Sequence, residues 1–496
     1  MRRQTLARGL QLPPRGRELR RTAGHAIGGA IDRAVTRHYR RRLETAGWLH
    51  ALTASEHGFA AGGFAPRQGN SLEVLIDGAA YLPAVAEELA RAESHVHLLG
   101  WHFSPELDLT RGAEPTILRN LLADLAERVD VRLLLWTGAP FAAWRPSRRD
   151  VRRMVELLCR SNGIRCEVDS CVRFMHAHHE KSIVIDDRVA FVGGIDLTLD
   201  GGDPFDSPSH IPRGRVGWHD VATCLRGPIF ADVSEHFRLL WHGPTGEPLP
   251  APIEQAPDGQ VTAQLVRTFP ERVFERTLPR GDFSVLESYM RALRSAERFV
   301  YLENQFLWSP EIVGILADKL RNPPCDGFRV VVLLPAKPND GADVSRGQVA
   351  ALIHADDGDA RFLACTVYAR HRALRDTVYV HAKVGIVDDR WLTIGSANLN
   401  ERSLFDDSEL NVVTLDAELA RETRIRLWTE HLELPRERLP ESPQEAVDEH
   451  WVPIADEQLA RLEAGQPLTH RLVKLPGVSV RHRRILGPLE SRIYDL

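Results

Sequence analysis

At 496 residues the chain exceeds the length at which a single hydrophobic core usually stops growing, so two core units are expected. Apolar residues make up 43% and charged residues 26%, and the net charge of −5 argues against a chain whose main task is wrapping nucleic acid. The six cysteines include no C-x-x-C pair, which leaves zinc ribbons and thioredoxin-like chemistry without support; their scatter reads as reduced thiols of a cytosolic protein.

The first 50 residues hold twelve arginines, and Ile27, Ile31, Val35 and Tyr39 recur there at helical spacing. Two readings stand: a basic amphipathic helix lying on an anionic membrane, and a helix docked on its own domain behind a loose arm, the second favoured. No apolar h-region follows the arginines, and no apolar run reaches the roughly 18 residues of a membrane span. The expected location is cytoplasmic, with membrane contact limited to the surface.

From Leu72 onward, strand-like and helical runs alternate, which predicts an α/β layered fold. The pattern occurs twice. In the first pass strands at Glu73–Asp77, His95–Trp101, Val131–Trp136 and Ile164–Val168 alternate with helices at Leu82–Ala92, Ile117–Ala126 and Val151–Cys159. A strand pair near Ile183 and Val189–Val192 follows, and helix Asp232–Trp241 closes the half. The second pass repeats this order from Gln264 to the helix Glu418–Glu430. Two similar α/β/α sandwich subdomains about a pseudo-two-fold axis are therefore expected. The division is a basic N-terminal segment 1–70, halves 71–250 and 251–435 on either side of a Pro/Gly-rich linker, and an irregular C-terminal tail 436–496.

Only five residues are lysine, and two of them occupy equivalent places in the repeat. The first copy reads His179-Glu180-Lys181, four residues, Asp186, six residues, Gly193-Gly194-Ile195-Asp196. The second reads His381-Ala382-Lys383, four residues, Asp388, six residues, Gly395-Ser396-Ala397-Asn398. On a strand, residues i and i+2 share a face, so each His projects beside its Lys. Asp186-Asp187 and Asp388-Asp389 then read as hairpin turns, and the returning strand brings small residues near the His–Lys pair, where backbone N–H groups can approach an anion. Two imidazoles, two ammonium groups and two small-residue cradles suit a doubly substituted phosphate: one neutral His attacks phosphorus, a protonated one serves the leaving oxygen, and the lysines neutralise the other oxygens. No metal or other cofactor is required. A metal cluster of His176, His178, His179 and His219 is disfavoured, since no carboxylate-rich or cysteine-rich set accompanies it.

The duplicated H-x-K-x4-D-x6-G-S-x-N pattern resembles the phospholipase D superfamily. The second copy matches throughout; the first departs at Gly194 and Asp196, in the G-G-x-D form of the phospholipase D proper branch. His178-His179-Glu180-Lys181, Trp218-His219-Asp220-Val221, Tyr301–Phe306 and Asn400–Ser403 are further matches to that branch. The resemblance implies a catalytic set of His179, Lys181, Asp186, His381, Lys383 and Asp388. His179 would be the phosphohistidine-forming nucleophile and His381 the general acid. It places orienting carboxylates on Asp220 for the first half and Glu409 for the second, and phosphate contacts on Gly194, Ser396 and Asn398. The odd offset of Asp186 and Asp388 from their histidines puts them on the opposite strand face, where structural support is expected. Trp101, Phe103, Trp218 and Phe306 read equally as an apolar rim for lipid chains or as core.

The expected activity is hydrolysis or transfer of the phosphatidyl group of a phospholipid, with water or an alcohol as acceptor, at a peripheral membrane surface. Cardiolipin synthase-like phosphatidyl transfer ranks second and a nuclease third, with no nucleic-acid partner expected. A non-catalytic scaffold would be expected to have lost a motif residue, and none is lost. Because both motifs lie in one chain, a monomer suffices.

Overall fold

The computed structural model describes residues 34–110, 114–139, 146–159, 163–169, 176–199, 218–274, 277–336, 342–369 and 377–477. In the first half the strands are β1 (Arg67–Ile76), β2 (His95–Gly100), β3 (Asp130–Trp136), β4 (Ile164–Asp169), β5 (Ser182–Ile185), β6 (Val189–Gly193), β7 (Trp218–His219) and β8 (Val221–Arg226). The second half contributes β9 (Val261–Phe269), β10 (Asp282–Phe283), β11 (Phe299–Asn304), β12 (Arg329–Leu333), β13 (Phe362–Val367), β14 (Tyr379–Val380), β15 (Lys383–Val387), β16 (Trp391–Gly395) and β17 (Glu409–Thr414); β18 (Leu472–Lys474) follows. The helices are α1 (34–46), α2 (Asp77–Ala90), α3 (Leu118–Ala126), α4 (Arg148–Leu158), α5 (Phe230–Thr245), α6 (Ser284–Ser295), α7 (Pro310–Arg321), α8 (Ala342–Asp356) and α9 (Ala417–Leu432).

The sheet order β18-β13-β12-β11-β15-β16-β17-β9-β1-β8-β6-β5-β2-β3-β4 displays the duplication. Moving outward from the antiparallel β9–β1 junction, β8, β6, β5, β2, β3, β4 on one side match β17, β16, β15, β11, β12, β13 on the other. The outer strands β2–β3–β4 and β11–β12–β13 are parallel, each set linked by two crossover helices, as parallel pairing requires. They read as near-continuous apolar runs, such as VVVL in β12, because helices cover both faces. One apolar cluster crosses the junction, joining Leu72, Val184 and Val192 to Val384, Ile394 and Trp428.

Both Asp-Asp hairpins form as the turn chemistry predicts. Asp186 and Asp187 have φ of 55° and 49°, Asp388 and Asp389 54° and 51°, a positive-φ pair in each turn, which the Arg188 and Arg390 N–H groups close on the Ile185 and Val387 carbonyls at 2.9 Å. The first Asp of each also braces the adjacent strand: Asp186 accepts the N–H groups of Glu93, Ser94 and His95, and Asp388 those of Glu297, Arg298 and Phe299. Both therefore lie at the turn, at the far end of β5 and β15 from His179 and His381, as structural support.

Three expectations change. Strands β8 and β17 were not legible, because β17 (ELNVVT) buries Glu409, Asn411 and Thr414 and so shows neither alternation nor a continuous apolar run. Between Pro435 and Gly477 the chain is not irregular: β18 pairs with β13, helix Val452–Glu463 packs beside it, and Trp451 is fully buried. The cysteines are not all thiols: Cys159 and Cys166 form a disulfide between the end of α4 and β4, while Cys224 and Cys365 are free and buried. Crossover α4–β4 brings that pair to a Cα separation of 6.4 Å, a proximity that the sequence spacing alone did not disclose.

α1 docks on the second half. Tyr39 and Leu43 are buried, Tyr39 stacks on Phe405 and donates to Asp406 at 2.6 Å, and Arg42 bridges Glu271 and Asp406. Ile27 and Ile31 lie outside the described residues. Among the described residues no helix is long and apolar enough to cross a membrane.

Candidate active site between the two halves

Each His-x-Lys segment leads into the middle strand of its half, β5 or β15, and each is hydrogen-bonded to the other half just before the motif. His178 bridges Ser408 in parallel, with the His179 N–H donating to the Ser408 carbonyl at 3.1 Å. At the equivalent place β14 pairs with β7, and the His381 N–H donates to the His219 carbonyl at 2.8 Å. The residue after each acceptor is a carboxylate, so the exchange carries Glu409 to His179 and Asp220 to His381.

The imidazole–carboxylate pairs are therefore crossed. His179 Nδ1 lies 3.0 and 3.1 Å from the two Glu409 oxygens, and His381 Nδ1 lies 2.6 Å from Asp220 Oδ2. This corrects the assignment of Asp220 to the first-half imidazole and Glu409 to the second. Glu409 also accepts the Ser396 and Ser403 hydroxyls at 2.5 Å each, Ser403 coming from the π-helical turn Arg402–Asp406. A carboxylate on Nδ1 leaves Nε2 of each ring as the reactive nitrogen.

The two imidazoles and two lysines of the motifs are all buried or nearly so. Lys181 lies 3.4 Å from Asp196 and donates to the His179 carbonyl. Lys383 donates to Gln305 Oε1 at 3.3 Å and to the His381 carbonyl. Lys181 thus has the Asp196 carboxylate as its partner, whereas Lys383 and Asn398 both reach the Gln305 amide oxygen. Burial pushes Lys383 down to about 7, against the pull of Asp220, and pushes Asp220 and Glu409 up to about 7 against the lysines. Both imidazoles are held well below their usual range by burial and then by the two lysines. Each histidine feels the lysine of the opposite half, which places both motifs at one centre.

The small residues frame the carboxylates. A Cβ on Gly194 would come within 2.2 Å of Asp220 Oδ1, so glycine is needed where Ser396 stands in the other copy, its hydroxyl engaged by Glu409. Asn398 Nδ2 reaches Gln305 Oε1 at 3.4 Å. The aromatic candidates divide. Trp101 meets the His179 ring edge-on at 6.2 Å and Trp218 lies 4.5 Å from the His381 ring, both half-buried. Phe103 and Phe306 are buried in the core. Tyr379, not singled out from the sequence, lies 5.0 Å from Trp218 and accepts from Gln305. Its only sequence signal is its place two residues before His381. Of the histidines beside the first motif, His176 bonds to the Asp406 carbonyl and the Ser408 hydroxyl, and His178 to Asp169.

Comparison with known proteins gives a consistent result. The family described as "Cardiolipin synthase, PLD-like domain" matches residues 289–428. The chain is 27% identical to Phospholipase D A of Dictyostelium discoideum over 75% of its own length and 36% of that protein. It is 26% identical to Phospholipase D2 of Bos taurus over 71% and 50%. It thus spans between about a third and a half of the length of these relatives. In three dimensions it resembles a phosphatidylserine synthase from Haemophilus influenzae Rd KW20, with a TM-score of 0.50 and 13% identity over 79% of this chain and 93% of the other, a likeness of fold. In its duplicated motif and in these sequence likenesses, the chain resembles members of the phospholipase D superfamily.

Proposed function

We propose that the protein cleaves or transfers the phosphatidyl group of phospholipids through a phosphohistidine. The observation that carries this reading is the pair of crossed His–carboxylate couples enclosing two buried lysines. His179 Nε2 attacks phosphorus, forming the N–P bond as the P–O bond to the headgroup breaks, and the leaving alkoxide takes a proton from His381. Water or an alcohol then gives its proton to His381 and attacks phosphorus, and the N–P bond breaks. His179 suits the first role because its side chain is 16% exposed against 6% for His381. Lys181 and Lys383 neutralise the non-bridging oxygens, and a bound phosphate would raise both imidazoles by offsetting the lysines. Trp101, Trp218 and Tyr379 present an apolar rim to acyl chains.

Transfer to an alcohol rather than water is the second reading. It is favoured by the cardiolipin synthase description of the matching family and by the fold shared with a phosphatidylserine synthase. The deciding experiment offers phosphatidylcholine, phosphatidylglycerol and ethanol together and resolves the lipid products. Phosphatidic acid marks hydrolysis; phosphatidylethanol or cardiolipin marks transfer. DNA cleavage at a rate comparable to any phospholipid replaces the lipid reading with a nuclease.

A further inference from the structure

Behind the second-half motif lies a buried polar cluster that the phosphoryl chemistry does not use. The His219 side chain is fully buried, with Nδ1 2.9 Å from Asp77 Oδ1 and Nε2 2.7 Å from Glu303 Oε2. Glu303, equally buried, accepts the Tyr301 hydroxyl at 2.5 Å and His431 Nε2–H at 3.0 Å. The members come from the start of α2, β7, β11 and α9, so the cluster joins both halves. His219 is held protonated by its two carboxylates despite burial, Glu303 is held below the usual carboxylate range, and His431 is pushed toward neutrality.

The cluster grips the carboxylate that orients His381. Asp77 sits at φ 61°, a left-handed conformation costly for a residue other than glycine. From there its Oδ1 accepts the Asp220 N–H at 3.0 Å and its own N–H donates to the Asp220 carbonyl at 2.8 Å. The neighbouring His219 carbonyl accepts from His381 and Ala382. The backbone of 219–220 is thus clamped between Asp77 and the motif segment, and His219 ties that clamp to Glu303. The separations of 2.7 and 3.0 Å are those of hydrogen bonds. Ligands around a tetrahedral zinc, at about 2.0–2.1 Å from the ion, stand about 3.3 Å apart.

We propose that Asp77–His219–Glu303 is a positioning network that sets Asp220, and through it His381, for proton donation to the leaving group. The inference rests on the phosphodiesterase reading above. His219 touches no substrate, so its removal selectively slows the step that needs the proton.

The test compares two phosphodiesters in the full-length protein: phosphatidylcholine, whose alkoxide must be protonated, and a p-nitrophenyl ester, whose leaving group needs no acid. His219→Gln is expected to lower kcat on phosphatidylcholine by about 10–100-fold, the usual cost of losing an outer hydrogen-bond partner, and on the nitrophenyl ester by less than about threefold. Glu303→Gln keeps the size but removes a charge and turns one accepting oxygen into a donor; it serves as the second variant and should show the same leaving-group bias. Equal losses on both esters at an unchanged circular dichroism spectrum reduce the network to a structural role and overturn the proposal. So does a stoichiometric transition metal in the purified wild type that both substitutions release. A wild type inert toward both esters overturns the phosphodiesterase reading and this inference with it.

Discussion

His179 and His381 each depend on a carboxylate from the other half, so substitutions should act across the molecule. Glu409→Gln removes the charge beside His179 Nδ1 and one of the two oxygens that accept from the ring and the serine hydroxyls, and should slow formation of the phosphoenzyme from any phosphodiester. His381→Ala should still accumulate phosphoenzyme from a nitrophenyl ester, and His179→Ala should not; rapid-quench labelling measures both, and label on His381 would reverse the roles. The same groups shape stability against pH. Glu409 titrates at about 7 in the fold against 4.5 ordinarily, so its contribution favours folding at low pH and is lost as pH rises toward 7. Lys383, lowered from 10.5 to about 7, contributes above 10.5 and loses that contribution as pH falls toward 7. Stability from these groups is therefore least near pH 7. Glu409→Gln should flatten the fall in Tm between pH 4.5 and 7, and Lys383→Met the rise between pH 7 and 10.5. Parallel Tm curves for wild type and variants would refute the shifts.

At the scale of single elements, the hairpins and α1 carry separable loads. Asp388→Ala strips three backbone N–H groups of a carboxylate acceptor and should cost about 1–3 kcal/mol, lowering Tm while leaving kcat of the folded protein within about twofold. A large kcat loss at unchanged Tm would return Asp388 to the chemistry. α1 is bound through Tyr39, Arg42 and Leu43, and Leu43→Ala should cost about 2–5 kcal/mol. The docked contacts meet Asp406, at the end of the turn that supplies Ser403 to Glu409, so α1 also braces the site from outside. Deleting residues 1–50 should lower Tm sharply in a thermal melt. Melting equal to that of the full chain would show that the α1 contacts are dispensable.

For the whole molecule, the continuous sheet and the exchanged segments make one centre from two repeats. In the proposed mechanism two lysines supply the positive charge that a divalent ion would otherwise bring, so turnover of phosphatidylcholine should survive exhaustive EDTA treatment. Loss on chelation, restored by zinc or calcium, would overturn that charge arrangement.

By itself the sequence determined the repeat, the α/β class, the two hairpin turns and the identity of the charged residues at the centre. Those depend on strand periodicity, Asp-Asp turn chemistry and identical spacing around rare lysines, all properties of neighbours along the chain. Tertiary structure alone decided which carboxylate serves which histidine, because spacing within a half records neighbours in one sheet and not the way a ring faces across a two-fold. It also decided that Ser396 serves Glu409, that Trp101 and Trp218 rather than Phe103 and Phe306 line the centre, and that Asp77 and Glu303 meet on His219. The contact of His179 with Glu409 joins residues 230 positions apart, and no local pattern encodes it, since its energy appears only once both partners have left water together.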